Sequence, residues 1–85
     1  MRLDVLLFEL RLFKSRSQAT EAIRRGWVLL NDAATKPSHE ARAGDRVTFA
    51  RGEDGRGRPR TVEILELPHA SLSKEAARAL VREVP

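Results

Sequence analysis

Gly26 divides the sequence into two kinds of hydrophobic pattern. Before it, apolar residues recur at helical spacing; from Trp27 onward they come in short runs rich in strand formers. A chain that changes period in this way, within 85 residues, has room for one small α+β domain.

Leu3, Leu6, Leu7 and Leu10 fall at i, i+3, i+4 and i+7, which predicts a helix over 3–12 with one apolar stripe. Val5, Phe8 and Leu12 widen the stripe, so this helix is expected to be buried on more than one side. A second helix is expected over 15–25. Ser15-Arg16-Ser17-Gln18 has the form of a capping box, in which Ser15 accepts from the Gln18 N–H. Gly26 supplies the residue of positive φ that ends a helix. Ala19, Ala22 and Ile23 make a narrow inner face. Ser17, Glu21, Arg24 and Arg25 point the other way, with Gln18 on the flank.

Trp27-Val28-Leu29-Leu30 reads as a strand, Asn31-Asp32 as a turn, and Ala33 to Thr35 as a short return. Val47 and Phe49 alternate with Arg46, Thr48 and Ala50 after a second turn at Gly44-Asp45. Residues 51–60 hold three glycines and a proline, which predicts a flexible hairpin tip. Thr61 to Leu67 is expected as a further strand, and 72–83 as a C-terminal helix capped by Ser71 or Ser73. The expected architecture is two N-terminal helices packed on a small, mostly antiparallel sheet, with that C-terminal helix added.

Lys and Arg total 16 against 12 Asp and Glu, a net charge of +4, and 13 of the 16 are arginine. The excess is local. Residues 11–25 carry Arg11, Lys14, Arg16, Arg24 and Arg25 against Glu21, whereas 61–85 carry three cations against four carboxylates. A basic helix face preceded by a basic loop suits phosphate, because guanidinium forks and first-turn N–H groups both donate to it. An ordinary solvated helix face has the same composition, and charge alone leaves the two readings open. Arg51, Arg56, Arg58 and Arg60 offer flexible contacts to a phosphate backbone, or simply solubilise the hairpin tip. Trp27 could stack on a base, but packing at the core edge is the favoured reading.

Catalytic patterns are missing. Cysteine is absent, and His39 and His69 lie 30 positions apart without clustered ligands. No phosphate-binding glycine loop, GxSxG or HExxH occurs. The chain is therefore expected to be no enzyme and to need no metal or cofactor. No apolar run approaches the roughly 20 residues of a membrane span, and the N-terminus lacks a signal-peptide pattern. A cytoplasmic monomer is expected.

Arg2-Leu3-Asp4 opens the first helix, and Lys14-Ser15-Arg16-Ser17-Gln18-Ala19 opens the second. Gly26, Val28 and Asn31 follow, then Lys36-Pro37-Ser38, then Gly44-Asp45 before a strand. In this order over residues 2–50, the set resembles the S-four RNA-binding domain family. Within it, the junction Leu12-Phe13-Lys14-Ser15-Arg16-Ser17 is similar to two bacterial groups. These are the fifteen-kilodalton heat-shock ribosome-associated proteins and their shorter relatives in ribosome quality control. The resemblance implies an RNA face of Arg2, Lys14, Arg16, Ser17, Gln18, Arg24 and Lys36. Arg11 and Arg25 join it on the charge argument. It also implies ribosomal RNA of free or stalled large subunits, carrying a nascent chain on transfer RNA, as the partner. Asn31-Asp32 departs from the more usual Asn-Gly of the family, and the 51–60 loop looks longer than usual. Rival readings are a DNA-binding module using a helix-turn-helix-like pair, an accessory of an RNA-modifying enzyme, and a protein-docking domain using the C-terminal helix.

Overall fold

The computed structural model describes residues 1–50, 57–69 and 72–84. The elements run α1 (Leu3–Glu9), α2 (Arg16–Arg24), β1 (Val28–Leu30), β2 (Ala33–Ala34), β3 (Arg46–Ala50), β4 (Pro59–Ile64), α3 (Lys74–Arg78) and β5 (Val81–Val84). The strands form one antiparallel sheet in the order β2-β1-β3-β4-β5. The α+β architecture expected from the hydrophobic pattern is the one observed.

Both N-terminal helices end in the same backbone device. In α2 the Gly26 N–H donates to the Ile23 carbonyl and the Trp27 N–H to that of Ala22. This is a Schellman motif, with Gly26 at φ +79°. In α1 the Arg11 N–H donates to Phe8 and the Leu12 N–H to Leu7, with Arg11 itself at φ +62°. The helix expected over 3–12 therefore stops at Glu9. A non-glycine residue in this left-handed conformation costs about 1 kcal/mol or more, so tertiary contacts must hold Arg11 there.

The apolar stripe of α1 and the inner face of α2 pack on the sheet. Leu3, Leu6, Leu7, Ala19 and Ile23 meet Val28, Val47, Phe49, Val62 and Ile64, all nearly inaccessible to water. Phe13 lies 5.8 Å from Phe49, ring centroid to centroid. Phe8 departs from the expectation: it is 41% exposed, because the sheet lies under only one side of α1.

Asn31 and Asp32 both adopt positive φ, 52° and 67°, as a type I′ hairpin turn requires. The Asn31 side chain secures the turn. It accepts from the Arg46 backbone N–H at 2.9 Å and donates to Asp45 at 3.2 Å. Glycine is thus dispensable here.

The C-terminal third corrects three expectations. The strand expected at 61–67 spans Pro59–Ile64; a proline fits the first position of a strand, opposite Ala50. The loop expected at 51–60 therefore yields Pro59 and Arg60 to β4, while residues 51–56 lie outside the described residues. The helix expected over 72–83 is confined to Lys74–Arg78, capped by Ser73, which accepts from the Ala76 N–H. Val81–Val84 instead extends the sheet, in register with Thr61–Ile64. Val-Arg-Glu-Val carries β-branched ends. As a strand it gains a hydrogen-bond ladder and two cross-strand ion pairs, Arg82 to Glu63 at 2.6 Å and Arg60 to Glu83.

Candidate nucleic-acid interface

One buried carboxylate organises the region that the sequence singled out. Asp4, in the first turn of α1, is 1% exposed. Its Oδ1 accepts from the Val5 N–H at 2.8 Å and from Arg2 Nε at 3.2 Å. Its Oδ2 accepts from Arg2 Nη2 at 3.0 Å and from the Thr20 hydroxyl at 3.2 Å. Arg16 Nε stands 3.6 Å from the same oxygen. Burial acts to raise the Asp4 pKa. The hydrogen bonds from Arg2, Val5 and Thr20, with the charge of Arg2, outweigh it and hold the carboxyl below its ordinary value.

The consequence is geometric. Arg2 precedes α1, and Arg16 opens α2, yet both guanidiniums converge on one anchored oxygen. Each remains about half exposed, 49% and 54%, so each is oriented by Asp4 while presenting N–H donors to solvent. An arginine held in this way loses less rotamer freedom when it binds a phosphate.

A third cation joins from the loop after β2. The Asp4 N–H donates to the Pro37 carbonyl at 3.2 Å and the Leu3 N–H to that of His39 at 2.9 Å. This pins residues 37–39 across the start of α1 and sets exposed Lys36 beside it. The neighbouring first turn of α2 carries Ser17 and Gln18, both exposed, after Lys14, also exposed. Ser15 accepts from the Gln18 N–H at 3.1 Å as the capping reading expects. The N–H groups of Arg16 and Ser17 lack intrahelical acceptors, as in any first turn, and the positive end of the helix dipole lies there.

The remaining expected residues are placed differently. Arg24 ends α2 and is exposed, about 12 Å along the helix from Arg16 at 1.5 Å per residue. Arg25 is engaged locally: its Nε bonds Glu21 at 2.8 Å, and its guanidinium sits 5.2 Å from the Trp27 ring centroid. Trp27 packs against the core, which supports the packing reading. Arg11 turns away from the Asp4 cluster, its Nε and Nη2 donating to the Leu72 carbonyl at 3.1 and 2.6 Å. Arg58 is exposed. Arg60 sits in β4, 5.5 Å from the Phe49 ring centroid and paired with Glu83, and so is not part of a free loop. Arg51 and Arg56 lie outside the described residues. Both histidines are exposed, and among the described residues no metal-holding cluster occurs. Nor is any helix among them long and apolar enough to cross a membrane.

Sequence reasoning missed Asp4 and Thr20. The available signal was an acid beside an apolar helical stripe, flanked by arginine and facing a helix whose inner face is otherwise Ala and Ile.

The family model for the S4 domain matches residues 1–47, more than half the chain and all of the Asp4 cluster. Among solved structures, the trimeric heat shock protein 15 of Vibrio cholerae superposes with a TM-score of 0.89 at 28% identity. It covers 99% of this chain and 81% of its own. Curated proteins give no significant sequence match. The chain belongs to the S4 domain family, and it is an RNA-binding protein.

Proposed function

We propose that the chain docks on ribosomal RNA of the large subunit, free or stalled with a nascent chain on transfer RNA, and acts there by binding without catalysis. It would serve rescue or quality control in the cytoplasm as a monomer; the Vibrio cholerae relative was solved as a trimer. The observation that carries this reading is the convergence of Arg2 and Arg16 on Asp4, with Lys14, Ser17, Gln18 and Lys36 around them. Such a surface gathers cations and N–H donors around one anchored carboxylate. It suits recognition of folded RNA by shape and phosphate position.

Sedimentation of tagged protein from lysate through a sucrose gradient tests it. Co-migration with large subunits at low salt, lost at high salt, is expected. Occupancy should rise when the subunits retain peptidyl-tRNA. Absence from every ribosomal fraction at low salt, or displacement by duplex DNA as readily as by ribosomal RNA, overturns the ribosomal reading.

A further inference from the structure

We propose that a second phosphate-binding groove, built from α3, β4, β5 and the end of α1, extends the RNA contact beyond the matched family segment. The groove has a volume of about 500 Å³, the size of a small-ligand pocket. Its floor is apolar: Leu10, Leu12 and Val81. Its walls carry Arg11, Arg60, Lys74 and Arg78, and among the described residues lining it Glu83 is the only carboxylate. Glu83 neutralises Arg60, leaving a concave surface with an excess of three positive charges.

That concentration is not a reflection of composition. Residues 61–85 have more carboxylates than cations. Of their three cations, Arg82 is paired with Glu63 across the strands, and the other two line this groove. Arg11 is fixed over it by an unusual device, a left-handed backbone and a double hydrogen bond to the Leu72 carbonyl. The bond ties the end of α1 to the segment leading into α3, and so holds the two walls together.

The preferred occupant is a phosphate of an RNA backbone. This occupant rests on the functional reading above, and the unneutralised Arg11, Lys74 and Arg78 complement phosphate charge. Four cations around a wide, open hollow match an extended chain of phosphates better than a single small anion.

The test compares Lys74→Ala/Arg78→Ala with wild type in binding to RNA extracted from large ribosomal subunits, over a salt series. Both residues are exposed, and thermal melting verifies the fold; Lys74→Gln/Arg78→Gln is the second variant. Each lost phosphate contact lowers the salt slope of log affinity by about 0.7–0.9, so a fall of about 1.4–1.8 and an affinity loss on the order of tenfold are expected. Arg42→Ala/Arg46→Ala removes equal charge from exposed positions outside the groove and is expected to lose less. Groove variants that bind like wild type, or lose no more than this control, overturn the second site and leave the functional reading intact. Saturable binding of inorganic phosphate at Lys74 and Arg78, with RNA affinity unchanged, overturns an RNA occupant. Wild-type protein that binds no RNA overturns both readings.

Discussion

Replacing Lys14 and Arg16 together by alanine is expected to reduce affinity for large-subunit RNA by tenfold to a hundredfold at about 0.1 M salt, with a slope smaller by about 1.4–1.8. The two residues flank the cap of α2, and both are exposed. Neither is a principal partner of the buried carboxylate, because Arg16 stands 3.6 Å from Asp4 while Arg2 donates two hydrogen bonds. Folding should therefore be little changed, since Arg2, Val5 and Thr20 keep their four hydrogen bonds to the carboxylate. Filter binding or fluorescence anisotropy over a salt series reads the effect. Wild-type affinity and slope in this variant would remove the first turn of α2 from the RNA contact.

Asp4→Asn is expected to destabilise the domain by about 2–3 kcal/mol, because a charged acceptor is removed from Arg2, Val5 and Thr20 in a buried position. The sign of the pH dependence follows from the lowered carboxyl. A group whose folded pKa lies below its unfolded value, here about 3.8, contributes stability that is complete above that value. The contribution is lost as pH falls through the folded pKa. Urea midpoints from pH 7 down to pH 2 should therefore drop in wild type across the acid range, and the Asn variant should lack this part of the drop. The same variant separates positioning from bulk charge. It raises the net charge by one, which by long-range attraction alone would strengthen RNA binding. Freed from the carboxylate, Arg2 and Arg16 lose their common geometry, and weaker binding is expected despite the added charge. Tighter binding by Asp4→Asn would show that charge, not arrangement, governs the contact.

The helices and core were legible because their causes are local. Leucine spacing, the Ser15 cap and Gly26 act within one or two turns, so the leucine stripe of α1 and the inner face and both ends of α2 follow from the sequence, whereas the end of α1 at Glu9 and the exposure of Phe8 do not. What was missed depends on partners distant in the chain. Val-Arg-Glu-Val at 81–84 continues a helical pattern acceptably, and only β4 beside it makes a strand the better state. Arg60 reads as loop because Arg58-Pro59-Arg60 follows glycines, yet its place is set by Ala50 and Phe49 across β3. At the site, the cations were visible as a charge excess, whereas their common anchor was not. Asp4 in isolation reads as an ordinary first-turn acid; its role appears only when Thr20 and Arg16 arrive from α2. Arg11 and Arg25 counted equally with Arg16 in the sum of charges, but the structure commits Arg11 to the Leu72 carbonyl and Arg25 to Glu21.

The central claim is that the Asp4-organised surface at the openings of α1 and α2 meets ribosomal RNA. A photo-crosslinking amino acid placed at exposed Ser17 tests it most directly, with exposed Ala43 as the comparison position. In the presence of large ribosomal subunits, the account predicts crosslinks from position 17 to ribosomal RNA, diminished by the Lys14→Ala/Arg16→Ala changes, and few from position 43. RNA crosslinks of equal yield from both positions, or crosslinks from position 17 to protein alone, would contradict it.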